Sequence, residues 1–368
     1  MRGVYVLLLI SLLGYTGRVS GQESVTITQC YEWARANYPQ IHQMGLIDQT
    51  ERYSLSNVGK AWLPQLSVSG KASYQSDVTK LPLDGDKISS LLPGFEIPSL
   101  SKDQYQVVAQ VDQTIWDGGS TRSARALTRA EAIANREQLE SELYALNDRV
   151  NQIYFGCLLQ DELIRQNALL QKELQVNIER IEAMMENGVA NQSDLESMEV
   201  ELLNARQNEI ELKASRTVYR QMLATFINKP LTDQVVLKTP ESPERSLSTQ
   251  INRPELRALD AKSEWIETQN KQVTAGLMPR IGAFVQGGYG RPGLNMLEDS
   301  FEPYYVAGVR LSWNLGKLYT LKNDRRKIEV SRRQIDVQRE TFLFNTRLQL
   351  LQQNTEIKKM TDLMRADD

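Results

Sequence analysis

"LMPRIGAFVQGGYG" at residues 277–290 and "WLPQLSVSGKASYQ" at residues 62–75 superpose with an offset of 215. Upstream, Asn37, Pro39 and Pro64 fall on Asn252, Pro254 and Pro279 at the same spacing, and within the stretch Leu66 falls on Ile281 and Tyr74 on Tyr289. The chain reads as two copies of one plan, and a repeat on this scale decides the fold before any single element does. Both stretches have a period of two. Leu66, Val68, Gly70, Ala72 and Tyr74 make one side apolar or small, while Ser67, Ser69, Lys71, Ser73 and Gln75 make the other polar, the pattern of a strand with two unlike faces.

Each copy continues with a second strand of the same kind. Tyr105, Val107, Ala109, Val111 and Ile115 alternate with Gln106, Gln110, Asp112 and Thr114. In the second copy Ile281, Ala283, Val285 and Tyr289 oppose Arg280 and Gln286, and Tyr305, Ala307, Val309, Leu311 and Trp313 oppose Arg310, Ser312 and Asn314. Segments of about ten residues with aromatics near their ends suit tilted strands crossing a bilayer. Four membrane strands are therefore expected, in pairs at about residues 65–116 and 280–314. Four strands cannot close a barrel and an open edge cannot sit in lipid, so several chains must contribute. The polar sides, with Gln106, Gln110, Asp112, Arg280 and Arg310, are then expected to line a wet lumen. The inserts "DVTKLPLDGDKISSLLPGFEIPSLSKDQ" and "RPGLNMLEDSFEPY" are turn-rich and read as surface loops, with Phe95 and Tyr304 packing those loops rather than caging a ligand.

Between the strand pairs the chain changes character. From "WDGGSTRSARALTRAEAIANREQLESEL" there is no proline until Pro230, and Leu139, Leu143, Leu146, Val150, Ile153 and Cys157 recur at alternating spacings of four and three, a heptad seam. The helix is expected to stop at "MMENGVANQSDLESM", where Asn187 and Gly188 supply a C-cap, Ser193 caps the next helix, and Asp194 and Glu196 suit its positive end. A return limb follows with Leu195, Met198, Leu202 and Ala205 on one stripe. From Gly119 to Gly188 the first limb would span about 100 Å at 1.5 Å per residue, a rod rather than part of a compact core. In the second copy a helix begins near Gly316 with Leu321, Ile328, Ile335 and Phe342 at intervals of seven. Matched to the first it would turn at about residue 385, so the returning limb of a second hairpin is expected to be missing from the chain, by truncation of the gene or because the chain is a fragment.

Composition removes other classes. With 368 residues, a net charge of −3 and a single histidine, His42, the chain is not a basic nucleic-acid binder. It has no GxSxG, no metal-spaced His or Cys cluster and no phosphate loop, so no enzyme, cofactor or metal is expected. The N-terminus has a basic start, an apolar run from Val4 to Leu13, and small residues at Ser20 and Gly21, the make-up of a signal peptide over residues 1–21 cut before Gln22. Cys30 and Cys157 both sit in helical patterns and read as buried thiols, with a bridge between them left open.

"P-x-L" at Pro64 and "P-x-I" at Pro279, "WDGG" at 116–119, "WNLG" at 313–316 and "NGVANQSDLESMEVELLNAR" at 187–206 occur in one order within a duplicated plan. In this the chain resembles the TolC-like outer-membrane efflux proteins over nearly its whole mature length. The resemblance implies an α+β membrane protein in two repeats, residues 22–252 and 253–368, forming a homotrimer. Each chain would give four strands to a twelve-stranded barrel, ringed by outer-membrane lipid, and its long helices to a periplasmic tunnel. Such proteins are passive exit ducts of Gram-negative bacteria for small molecules or polypeptides. They dock through their hairpin tips on a periplasmic adaptor protein that joins them to an inner-membrane pump. The family's tip pattern falls on Gly188, Val189, Asp194 and Leu195, which are expected to contact the adaptor. Two other readings stand beside it: a periplasmic coiled-coil adaptor or scaffold, against which the duplicated strand pairs argue, and a remnant duct that no longer conducts.

Overall fold

The computed structural model describes residues 24–78, 100–241, 251–295 and 298–367; the expected signal peptide and Phe95 lie outside the described residues. The elements run β1 (Ser24–Val25), α1 (Ile27–Asn37), α2 (His42–Gly59), β2 (Gln65–Tyr74), β3 (Asp103–Trp116), α3 (Ser120–Tyr144), α4 (Leu146–Glu186), α5 (Gln192–Ile227), β4 (Val236–Leu237), α6 (Pro254–Ala275), β5 (Arg280–Arg291), β6 (Glu302–Ser312) and α7 (Lys317–Asp367). They fall into two compact units, one made of the chain up to Met44 with Leu139–Pro254, the other of Gly45–Gln138 with Glu255–Asp368.

The first unit is organised by the antiparallel hairpin of α4 and α5. All six seam residues expected from the heptad, Leu139, Leu143, Leu146, Val150, Ile153 and Cys157, are buried. On the return limb Leu202 and Ala205 are buried, Leu195 and Met198 half-buried, and Leu223 and Ile227 complete the seam toward the helix end. α1 opens on a capping box between Thr26 and Gln29 and lays Cys30 and Ala34 on the hairpin. Tyr154, fully buried, has its hydroxyl 2.9 Å from the Val25 carbonyl and 2.7 Å from that of Lys238, so it is hydrogen-bonded to the two-residue ladder of β1 and β4. Cys30 and Cys157 are free and buried in the same cluster. Burial pushes both thiols up to about 11 and the Tyr154 phenol up to about 12. The helical limb has a one-residue irregularity at Ala145, which keeps right-handed φ −63 and ψ −17 and whose amide still donates to the Ser141 carbonyl at 3.2 Å.

The second unit holds a four-stranded antiparallel sheet in the order β2–β3–β5–β6, so β2 and β6 are its edges. Its register aligns the expected faces. Val68 pairs with Ala109, Val111 with Val285, and Val285 with Ala307, which puts the apolar positions of all four strands on one side. Among the described residues nothing covers that side: Leu66 is 72%, Val68 69%, Val309 69% and Tyr305 79% exposed. From Leu66 to Tyr74 the band is about 26 Å tall at 3.3 Å per residue. One end carries Tyr74, Tyr289 and Tyr105, the last two stacked against Phe301; at the other, Trp62, Trp116 and Trp313 are exposed.

A register shift between Thr114 and Trp116 loosens β3 from β5 just before the turn into α3. That turn is "WDGG", with Gly118 at φ +67 and Gly119 at φ +84; a Cβ on Gly118 would fall 2.5 Å from that of Met278. Asp117 accepts the amides of Gly119 at 2.9 Å and Thr121 at 2.6 Å, tying off the start of α3. Burial works against its charge, and those hydrogen bonds outweigh it, so its carboxyl sits below the usual carboxylate range. On α7 the expected heptad residues Ile328 and Ile335 are buried against Ile266 of α6, with Leu321 and Phe342 half-buried. Farther along, Leu350, Ile357 and Met364 are exposed. No described helix is long and apolar enough to cross a membrane.

Candidate lumen face and hairpin tip

The polar side of the sheet carries all five residues expected to line a lumen. Gln110 lies opposite Gln286, Asp112 opposite Phe284, and Gly282 opposite Arg310, so Gln106, Gln110, Asp112, Arg280 and Arg310 share one face. Three of them meet. Gln110 Nε2 donates to Asp112 Oδ2 at 2.7 Å, and Arg310 Nη1 stands 4.0 Å from Asp112 Oδ1 with its guanidinium 4.8 Å over the Phe284 ring. The other two lie toward the ends: Gln106 donates to the Tyr304 hydroxyl, and Arg280 reaches to 3.5 Å from Ser120 Oγ. A cavity of about 300 Å³ opens among Asp112, Thr114, Ser120, Arg280, Phe284 and Arg310. Opposite charges half-exposed to water, as in Asp112 and Arg310, attract weakly, about 0.2–1 kcal/mol for such a pair. The face is therefore polar and carries charges of both signs.

Two aromatics on this face escaped the sequence reading. Tyr304 is not a loop residue, because β6 begins at Glu302, two residues before it, and Tyr304 lies on the polar side across from Gly288. Phe284 interrupts the alternation between Ala283 and Val285. Both rings need a glycine opposite: a Cβ on Gly288 would fall 2.3 Å from the Tyr304 ring and one on Gly308 3.1 Å from that of Phe284. The glycines of "VQGGYG" and "VAGV" are the signal that could have placed these rings, since glycine in a strand marks where something lies across the backbone.

The hairpin tip is closed by its own backbone. The amide of Val189 donates to Met184 O at 2.8 Å and that of Gly188 to Met185 O at 2.9 Å, a Schellman pair that needs the left-handed φ of +69 at Gly188. The return helix is not capped by Ser193. Asn191 is the N-cap: its side chain accepts the Asp194 amide at 3.1 Å, and Asp194 Oδ2 accepts the Asn191 amide at 3.2 Å. The spacing explains the correction, because Asn191 and Asp194 stand three apart and can serve each other reciprocally. Of the four expected contact residues, Gly188 and Val189 project outward, with Val189 69% exposed, Asp194 is part of the cap, and Leu195 is half-buried in the seam. Among the described residues no group of three or more His, Cys, Asp or Glu is placed to hold a metal ion.

A family model described as outer membrane efflux protein matches residues 30–229, from α1 through α5. The chain belongs to that family. It is a TolC-like family of efflux channels and not one of enzymes, and membership puts this efflux protein in the outer membrane. In fold it is similar to the outer membrane protein VceC from Vibrio cholerae, at 14% identity and a TM-score of 0.57 over 87% of this chain and 75% of that one. It is likewise similar to the outer-membrane channel OprN, at 16% identity and a TM-score of 0.58 over 86% and 71%, and to the CmeC outer membrane channel of Campylobacter jejuni, at 12% identity and 0.57 over 87% and 68%. Comparison with curated proteins gave no match.

Proposed function

We propose that this efflux protein is the passive outer-membrane duct of a tripartite efflux or secretion assembly, carrying small molecules or polypeptides from a pump to the outside. One observation carries the reading: a sheet with one apolar side bare over about a bilayer's height, one polar side, and two open edges. In lipid such edges must be paired. Three copies, each giving four strands, close a twelve-stranded barrel by setting β6 of one against β2 of the next. Gln106, Gln110, Asp112, Arg280 and Arg310 then line the lumen, and the two repeats, residues 22–252 and 253–368, give each copy its pair of strand hairpins. The long helices extend into the periplasm. There the tip, through Gly188, Val189, Asp194 and Leu195, meets an adaptor protein coupled to an inner-membrane pump. Val189 is the strongest of the four, since an exposed apolar residue on a backbone-capped turn offers contact area without an ordering cost.

The test is physical. The chain is extracted from outer membranes in mild detergent, its mass measured by light scattering, and its conductance recorded in planar bilayers. A mass of three chains with steady ion conductance is expected. A monomer, or a trimer that leaves the bilayer sealed, overturns the duct.

A further inference from the structure

At the foot of the sheet the chain gathers positive charge. α3 has no acid in its first turn, and Arg122, Arg125 and Arg129 follow at spacings of three and four, which puts them on one helix face. With Lys271 of α6 they line a cleft of about 1050 Å³ whose other walls include Trp62 and Trp116. All four cations are exposed, and among the described residues none is ion-paired. One heptad beyond Arg129 on the same helix the habit differs: Arg136 meets Asp48 at 2.8 Å and also Glu51. The carboxylate in the cleft, Asp117, is already held by the amides of Gly119 and Thr121.

Arg122, in the first turn of α3, opposes the positive end of the helix dipole, and Arg125, Arg129 and Lys271 add like charge beside it, so the cluster calls for an anion. The two tryptophans indicate where that anion comes from. Trp62 and Trp116 are 40% and 41% exposed, next to the lower ends of β2 and β3, where the apolar band stops. Half-exposed indoles in such a place sit at the level of lipid headgroups. Guanidinium groups grip phosphate oxygens in pairs, and basic clusters beside a membrane segment select anionic lipid.

We propose that this cleft holds the phosphate of an anionic glycerophospholipid, with Arg122, Arg125, Arg129 and Lys271 around the headgroup and Trp62 and Trp116 beside the start of the acyl chains. The assignment rests on the duct reading, which places the sheet in the membrane. It makes the protein select lipid at one fixed height on its wall.

The test uses the full chain, delipidated in a neutral detergent and titrated with phosphatidylglycerol or phosphatidylcholine, with retained lipid counted by native mass spectrometry and membrane association followed by vesicle flotation. The R122Q/R125Q/R129Q/K271Q variant is expected to float like the parent while its retention of phosphatidylglycerol weakens by about tenfold or more, with phosphatidylcholine unchanged. A charge-matched K172Q/R180Q/R206Q/K358Q variant keeps the parent's retention. The R122K/R125K/R129K variant, which keeps the charge and gives up the paired grip, is expected to retain phosphatidylglycerol at a level between the parent and the fourfold variant; retention no better than the fourfold variant's would trace the effect to folding and sink the assignment. Unchanged phosphatidylglycerol retention in the fourfold variant overturns the site alone. Displacement of the lipid by inorganic phosphate at matched concentration overturns the lipid as its ligand. A chain that does not float with vesicles overturns the duct reading and this site together.

Discussion

The hairpin of α4 and α5 and the sheet of β2, β3, β5 and β6 draw on the same apolar residue types and dispose of them in opposite ways. Along the hairpin Val150, Cys157 and Leu223 lose all contact with water inside one chain. Across the sheet Leu66, Val68 and Val309 keep most of theirs. Burial of aliphatic surface stabilises wherever it happens, at about 25 cal/mol per Å². The difference therefore teaches where each region's partner lies: within one chain for the hairpin, and beyond the described residues for the sheet, where the proposed duct puts lipid.

The largest effect is expected inside the hairpin. Leu223→Ala should cost about 2–5 kcal/mol in urea unfolding of the detergent-extracted chain, the range for a fully buried leucine. Leu311→Ala on the bare sheet face should cost a small fraction of that, and equal losses would break the comparison. The same core has a pH signature. Burial raises the Cys30 and Cys157 thiols from 9.0 to about 11, so their contribution is fully present below pH 9 and is lost as pH rises toward 11. Unfolding midpoints followed across that window should fall, and a C30A/C157A variant should fall less.

Next comes insertion. Val309→Arg places a charge on the side proposed to face lipid, at a cost of about 2–4 kcal/mol near the bilayer midplane, and should remove the chain from outer-membrane fractions. Arg310→Gln, one residue along and on the other face, should leave insertion intact; if both or neither block it, the two-faced sheet is wrong. A smaller loss, about 1 kcal/mol, is expected for Gly188→Ala, because the added Cβ meets open space and only the left-handed backbone is penalised. Smallest in energy is Asp112→Asn: it should change stability by less than about 1 kcal/mol while shifting the conductance toward anion selectivity, read as a reversal potential across a salt gradient.

Much of this was legible in the sequence because two regular periods dominate it. Leu139 to Cys157 at four-three spacing and Leu66 to Tyr74 at spacing two each have one arrangement that satisfies all their members, so seam and faces followed from side-chain type alone. What stayed hidden depends on partners far along the chain. Phe284 sits on the polar face because Gly308, on the next strand, leaves room for its ring. The basic cleft needed α6 to bring Lys271 to arginines that lie more than a hundred residues earlier. The tip failed for a local reason: Ser193 and Asn191 are both good caps, and the choice was made by Asp194, which reaches back only to Asn191.

The two edges of the sheet are unlike each other, β2 on one side and β6 on the other. A ring of the kind proposed is closed by seams that join unlike edges, so every copy takes part in two of them. This has a genetic consequence. A chain crippled at either edge still offers its sound edge to a neighbour and is drawn into rings it cannot complete. When intact and crippled chains are made in equal amounts, only about one three-copy ring in eight contains no crippled member. Edge mutations should accordingly be dominant, and mutations in the hairpin core, which destroy the chain before it can assemble, recessive.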